Sequence, residues 1–346
     1  MIVHFNKPGR IKVFFKDSNK KNFFKICKEV LVLWATKKEV PMYYFKHLYR
    51  KDITNYREYM GSKLVRRIKA STRLHKPEYT SILNNKLNFS LYCEKNSIPT
   101  PTLLGHNFET TFFCQNKVSH LRTLDELIQF YSLIFDTTNL QAIFFRPLAL
   151  LGGKGCFKLD KKNYCEKLKA EFKNLLQGDY THTEVIAQHH DINRIYAKSI
   201  NTLRILTYLN KDKVEVVTSF IRFGAGGSVV DNGSSGGLSV GIVQESGTLK
   251  CLSYVDMEFG GGELERHPDT AFLFEGFKIP FFKEACELVK QATEHIPNGF
   301  IGWDVAITPT GPTIIEGNEN PSLFVMDVLD GGLLKNPKML KVIAAI

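Results

Sequence analysis

Between Phe300 and Pro321 the chain runs through two apolar stretches, 300–308 and 312–317, separated by Pro309, Thr310 and Gly311. No other feature narrows the fold as much. The Pro/Gly segment is a turn signal, so the two stretches are predicted to be adjacent antiparallel strands. Side chains alternate across a strand with period two, so Glu316 and Asn318 share one face, and Asp304 can join them from the neighbouring strand. An Asp, a Glu and an Asn amide oxygen on one face form a hard-oxygen set. Magnesium selects such sets and fills its other positions with water and phosphate oxygens. The competing reading is a surface hairpin with ordinary acidic residues. The apolar flanks argue against it, because unpaired charge emerging from a buried sheet is costly.

The rest of the C-terminal two thirds is rich in strands. Stretches 202–209, 214–223, 238–244 and 249–255 read as strands, followed by a helix near 280–296. Earlier, 141–147 and 155–160 read as strands around a Gly-rich turn, then a polar helix at about 161–176 and a strand at 184–188. Thr123 with Glu126 forms a capping box opening a helix through Phe135. A break at Gly331 and Gly332 introduces a short C-terminal helix. Antiparallel strands with interspersed helices predict an α+β fold rather than a doubly wound parallel sheet.

Charge separates the N-terminus from this. Residues 1–80 hold 20 Lys and Arg against 6 Asp and Glu; the remainder holds 26 against 29, so the whole net charge of +11 originates in the first quarter. A basic patch draws nucleic acid, anionic lipid or another polyanion, unless it is simply a solvated face. Phe23, Phe24, Cys27, Val30, Leu31 and Trp34 recur at helical spacing with Lys25, Lys28 and Glu29 between them. This stripe is expected to pack on the protein's own body, an in-plane membrane helix being the lesser alternative. A further helix over about 80–96 is expected to end at Ile98-Pro99-Thr100-Pro101.

Composition excludes several classes. With 43% hydrophobic residues among 346, the chain is not a disordered tail protein. No segment approaches the ~18 consecutive apolar residues of a membrane span. The basic-then-apolar start mimics a signal peptide, but Lys28 and Glu29 interrupt it and no small-residue cleavage site follows. Seven scattered cysteines, none in a CxxC pair, argue against a disulfide scaffold or a cysteine zinc site. A reducing, cytosolic setting is expected.

Three further motifs carry chemistry. In Phe144-Phe145-Arg146-Pro147 followed by Gly152-Gly153-Lys154-Gly155, the glycines let backbone N–H groups approach phosphates. No Ser or Thr follows the Lys and no helix opens there, so this is a strand–loop–strand flap and not a Walker A loop. The Gly/Ser-rich stretch 224–241 lies between strands, which excludes a Rossmann fingerprint and points to a functional loop. Asn201-Thr202-Leu203-Arg204 opens a strand, placing an Arg fork for carboxylate or phosphate on rigid backbone. His182, His189 and His190 near Asp191 hint at zinc, but no fourth ligand has sensible spacing, and adjacent histidines on a strand would face opposite ways.

In their order along the chain, Lys86, Arg146-Pro147, the flap, Glu184-Val185-Ile186-Ala187, Asn201–Arg204, Ser235-Gly236-Gly237 and Asp304/Glu316/Asn318 resemble an ATP-grasp enzyme. The resemblance covers about residues 78–340. Among ATP-grasp families it points to the sugar-transfer associated one, related to alpha-L-glutamate ligases. Where the family strand usually ends Lys-Pro, this one ends Arg146-Pro147.

The resemblance implies two α+β lobes clasping the nucleotide, a small lobe at about 110–187 and a large one at about 188–346, within a domain 78–346 preceded by a basic helical region 1–77. Lys86 and Arg146 would contact the phosphates of ATP, and Gly152, Gly153, Lys154 and Gly155 would cover them. Glu184, Val185, Ile186 and Ala187 would receive adenine, and Asp191 the ribose. Asp304, Glu316 and Asn318 would hold magnesium. Asn201, Arg204, Ser234, Ser235, Gly236 and Gly237 would face the substrate, with Arg204, Lys154 and Arg146 as the catalytic cations.

The activity so implied is carboxylate–amine ligation through an acyl phosphate, joining an amino acid or amino sugar to a sugar acid or polysaccharide component. A phosphotransferase on a hydroxyl acceptor stays open. So does, more remotely, a nucleic-acid-binding module, which lacks any RNP, zinc-finger or helix-turn-helix signature. For residues 1–77 the expected partners are an anionic membrane surface, at the inner face, or a lipid-linked saccharide.

Overall fold

The computed structural model describes residues 9–346 except positions 149, 151 and 212; residues 1–8 of the basic region lie outside the described residues. The chain forms two compact units. One comprises Met1–Thr80, Gln188–Pro312 and Gly317–Ile346, and the other Ser81–Ala187 with Thr313–Glu316.

The chain opens with α1 (Arg10–Lys16), α2 (Phe23–Lys37) and α3 (Ser62–Lys69). Asn22 caps α2 by accepting from the backbone N–H of Lys25, and Lys38 ends it in the left-handed conformation at φ 52°. The face that α2 buries carries Ile26, Glu29 and Leu33, at i, i+3 and i+7. The buried Glu29 carboxylate accepts from Lys21 Nζ at 2.6 Å and from Tyr44 Oη at 2.7 Å, so its charge is compensated. This corrects the sequence reading of α2. Of the stripe expected to pack inward, Val30 packs on the core and Cys27 is half-buried, but Phe23, Phe24, Leu31 and Trp34 face solvent, because the helix is oriented by the Lys21–Glu29 pair and the aromatic cluster of Tyr43, Tyr44, Tyr49 and Tyr59. That cluster also takes in Met257, and Arg50 pairs with Glu263 at 3.2 Å, so the basic residues pack as part of their unit.

Two helices, α4 (Pro77–Leu83) and α5 (Lys86–Lys95), stand where one was expected. Asn85 separates them and caps α5, its side chain accepting from Leu87 and Asn88 N–H. Three short strands follow, β1 (Leu103–Phe108), β2 (Thr111–Cys114) and β3 (Lys117–His120), which the sequence reading missed. Then come α6 (Leu124–Thr137), β4 (Ala142–Pro147), β5 (Phe157–Asp160), α7 (Tyr164–Leu176) and β6 (Asp179–Glu184). The Thr123–Glu126 capping box opens α6 as predicted.

These strands form one sheet in the order β3-β2-β1-β6-β4-β5, with antiparallel pairing. The strand predicted at 184–188 instead ends at Glu184. Its buried residues are Tyr180, Thr181, His182 and Thr183, too polar for hydropathy to mark. A core of Phe112, Leu127, Tyr131, Phe135, Phe145, Leu159, Leu168 and Leu175 lies under α6 and α7.

The remaining elements are α8 (His190–Asn193), β7 (Thr202–Asn210), β8 (Lys213–Phe223), β9 (Leu238–Val243), β10 (Thr248–Val255), α9 (Phe282–His295), β11 (Phe300–Thr308), β12 (Gly311–Asn318), α10 (Leu323–Leu329) and α11 (Pro337–Ala344). Their sheet runs β10-β9-β8-β7-β11-β12. α9 packs on β7 and β8, where Trp303 Nε1 of β11 donates to Thr207 and Thr293 hydroxyls at 3.0 and 3.1 Å. Two largely antiparallel sheets with attached helices make the fold α+β, as expected. Among the described residues no helix is long and apolar enough to cross a membrane.

Candidate active site

In the unit Ser81–Ala187 with Thr313–Glu316, three of the expected charged residues come together. Arg146, on β4 and almost fully buried, donates from one Nη to the Ile315 carbonyl at 3.1 Å, while its Nε is buried without a hydrogen-bond partner. Lys86, the first residue of α5, donates to the Leu150 carbonyl at 2.8 Å and so ties α5 to the β4–β5 connection. Burial pushes the pKa values of both cations below their ordinary ranges; the nearby Glu316 opposes this in each case, and Arg146 adds to it at Lys86. The result is a buried guanidinium and a half-buried ammonium around one carboxylate, with a guanidinium N–H left unsatisfied. A polyanion would relieve both costs.

The flap residues sit on the β4–β5 connection, since Phe145 pairs with Phe157 and Ala142 with Asp160. Gly152, Gly153 and Gly155 have φ of 70°, 73° and 71°, a left-handed run open to glycine. All three are exposed, as is Lys154. Glu184 has a different occupation from the expected adenine contact: its Oε1 accepts from the backbone N–H and hydroxyl of Thr102, both at 2.9 Å. Val185 is exposed and, like Ile186 and Ala187, lies outside any strand, leaving backbone groups that no ladder uses.

In the other unit, Arg204 on β7 and Asp304 on β11 are register partners. Arg204 makes a fork to both Asp304 oxygens, its Nη2 at 2.9 Å from Oδ2. Arg222 of β8 donates to the same Oδ2 at 2.9 Å and to Asp231 at 3.2 Å, and Asp231 also accepts from the Thr202 N–H at 2.9 Å. Sequence reasoning missed Arg222 and Asp231. The available signal was a charged residue, Arg222, between Ile221 and Phe223 at the end of β8, immediately before the Gly/Ser loop.

Asn201 is a hub rather than an open contact. Its amide donates to Gln188, Tyr196 and Ser199, and its Oδ1 accepts from the Ser199 hydroxyl and the Gly224 N–H. Ser234 and Ser235 are exposed, and Gly236 and Gly237 are buried. A Cβ at Gly237 would meet the Asp231 carbonyl oxygen at 2.3 Å, which fixes glycine there.

Asn318 ends β12, with its amide donating to the Gly302 carbonyl at 3.3 Å. Of the three residues expected to hold magnesium, Asp304 and Asn318 belong to this unit and Glu316 to the other. Asp304 Oδ2 accepts from both Arg204 and Arg222, and Oδ1 from Arg204 Nε, so a cation there would share this carboxylate with two guanidiniums.

The histidines also differ from expectation. His182 is buried on β6 in one unit. His189 and His190 are in the other, not on a strand but at the start of α8, with rings stacked at 4.3 Å. Their ligand atoms and a carboxylate oxygen of Asp191 lie within 4.8 Å of one another. Arg194 sits 3.4 Å from Asp191, and the Asp191 N–H occupies His189 Nδ1, so the trio is a poor cation trap.

A search of curated protein sequences finds no match. Solved structures similar to the chain include D-alanyl-alanine synthetase A from Vibrio cholerae, at 13% identity and a TM-score of 0.44, covering 78% of this chain and 67% of that one. D-alanine–D-alanine ligase from Bacillus anthracis matches at 11% identity and 0.44, covering 78% and 69%. The ATP-grasp ligase PsnB, solved with a minimal precursor, Mg and ADP, matches at 12% and 0.41, and the chain spans only 61% of it. The family assignment rests on sequence instead. A model of the sugar-transfer associated ATP-grasp family matches residues 158–342, more than half of the 346. The chain belongs to the sugar-transfer associated ATP-grasp family.

Proposed function

We propose that the protein is an ATP- and magnesium-dependent carboxylate–amine ligase. The observation that carries this reading is the Lys86–Arg146–Glu316 group: a buried guanidinium with an orphaned N–H and a half-buried ammonium, beside a hairpin connection of left-handed glycines. Such a group suits the phosphates of ATP, with exposed Lys154 able to add charge from above. Val185, Ile186 and Ala187 offer free backbone edges to the adenine, and Asp191 a carboxylate to the ribose. Asp304, Glu316 and Asn318 would hold magnesium, which when bound neutralises phosphate oxygens and the charge spreading on the transferred group. Arg204, anchored by Asp304, and the Ser234–Gly237 turn would receive the acyl group.

In the proposed reaction a substrate carboxylate oxygen attacks the γ-phosphorus and ADP leaves. An amine nitrogen then attacks the acyl carbon, phosphate leaves, and the amine gives up a proton to yield an amide. The residues serve mainly to position the reactants and stabilise charge; no side-chain nucleophile is required. The substrates we propose are an amino acid or amino sugar and a sugar acid or polysaccharide component.

The test is an ADP-release screen of uronic acids, amino acids and amino sugars in pairs, with phosphate assay and mass spectrometry of products. ADP, phosphate and an amide together support the ligase. ADP with a phosphorylated acceptor and no free phosphate would instead identify a phosphotransferase.

A further inference from the structure

We propose that the outward face of α2 docks onto an anionic lipid bilayer. This inference is independent of the ligase reading and concerns a surface made of different residues. On α2, Phe23 is 73% exposed, Phe24 83%, Leu31 57% and Trp34 56%. At 100° per residue these four span roughly a 100° arc, on the side away from the buried Ile26, Glu29 and Leu33. The helix therefore has two apolar stripes and buries only one. The inward stripe is fixed by the Glu29 contacts with Lys21 and Tyr44, so turning the helix to hide the outer stripe would expose a buried ion pair.

Scattered surface hydrophobics are common and need no explanation. Four large ones, two of them the first residues of the helix, on a single side of it are different. Exposed Lys25 and Lys28 lie beside this stripe, with Lys38 just past the helix end.

The charge of the region selects the occupant. Residues 1–80 hold 20 Lys and Arg against 6 Asp and Glu. A second copy of the chain would bring like charge against like charge. Nucleic acid would satisfy the lysines and leave Phe24, Leu31 and Trp34 in water. An anionic bilayer takes both: headgroups attract the lysines, and the acyl boundary receives the aromatic and aliphatic side chains, Trp34 lying at the depth where tryptophan is favoured.

The chain has two tryptophans, Trp34 and the fully buried Trp303, so a change in emission on lipid binding reports Trp34. The probes are vesicles of equal parts phosphatidylcholine and phosphatidylserine, and vesicles of phosphatidylcholine alone. The expected result is a blue shift with co-sedimentation on the anionic vesicles, weakened by salt and much smaller on the neutral ones. Phe24→Ser with Leu31→Ser removes two exposed side chains. It should lower vesicle affinity by at least about tenfold while leaving the circular dichroism spectrum and urea midpoint unchanged. Lys25→Gln with Lys28→Gln should reduce the salt dependence. Trp34 emission that stays unshifted on anionic vesicles at low salt overturns the proposal. A shift that grows with protein concentration in the absence of lipid also overturns it, assigning the face to a second copy.

Discussion

Arg204 and Asp304 face each other across the β7–β11 ladder, and the guanidinium of one closes on both oxygens of the other while each side chain is almost wholly buried. Arg222 reaches the same carboxylate from β8, so a single Asp neutralises two interior cations, one of which it shares with Asp231. Its position between them makes Asp304 a structural anion whatever else it binds.

Asp304→Asn should therefore lower stability by about 3–5 kcal/mol, the usual cost of leaving a buried charge without its partner. Urea unfolding in the absence of nucleotide measures this directly. The double variant Arg204→Met, Asp304→Leu should lose less than the two single changes combined, since it removes both charges. An unchanged urea midpoint for Asp304→Asn would mean that the ion pair does not hold in solution.

Glu316 occupies a different electrostatic position. It is the negative group acting on Lys86 and Arg146, whose charges burial already disfavours. Glu316→Gln keeps size and removes the charge. Binding of ATP without magnesium should hold or tighten, because a carboxylate no longer competes with the phosphates for the two cations. Turnover with magnesium should fall by at least about 100-fold, the scale typical of losing one preorganised electrostatic contact. Calorimetry with and without magnesium, together with an ADP-release assay across a magnesium titration, separates these effects. Near wild-type ADP release at saturating magnesium would remove Glu316 from the site.

How much of this was legible depends on whether hydrophobicity alone decided the outcome. The hairpin 300–318 could be read because both strands are apolar and the Pro309–Gly311 turn is local, and the structure places β11 at Phe300–Thr308. β6 could not be read, since Thr181, His182 and Thr183 are polar residues whose partners come from β1, β4 and α6. The inward side of α2 was misassigned because its central residue is Glu29, whose burial is licensed by Lys21 and Tyr44, which precede and follow α2. Arg222 and Asp231 were missed for a related reason. Their significance comes from strand register, which a single sequence specifies only through turns and alternation.

The β4–β5 connection should tolerate little added bulk. At Gly155, φ is 71° and a Cβ would lie 3.0 Å from Pro147 Cγ and 3.3 Å from Leu150 Cδ1. Gly155→Ala should cost about 1–2 kcal/mol through the left-handed backbone alone. Hydrogen exchange with a non-hydrolysable ATP analogue should show amides 152–155 gaining protection in the wild type and less in the variant. Equal exchange with and without nucleotide in the wild type would show that this connection does not cover phosphates.

Acid should destabilise the protein through His182. Burial pushes this imidazole down to about 3 from an ordinary 6.5, with a smaller contribution from His106. Asn107 spends its amide on the carbonyls of Glu109, Leu175 and Gly178, so its Oδ1 accepts from His182 Nε2–H at 2.9 Å, and Nδ1 is left to accept from the Tyr131 hydroxyl at 3.4 Å. The neutral ring is therefore the one that fits. The folded-state pKa lies below the unfolded one, so the contribution to stability is complete above pH 6.5 and is lost as pH falls from there towards 3. By pH 5 the unfolded chain has taken up a proton that the native state refuses, a loss of about 2 kcal/mol for this group. His182→Gln should have a lower baseline stability but a flatter profile between pH 7.5 and 5, measured by urea unfolding at each pH. If the variant and the wild type lose the same stability over that interval, His182 is not the group that titrates.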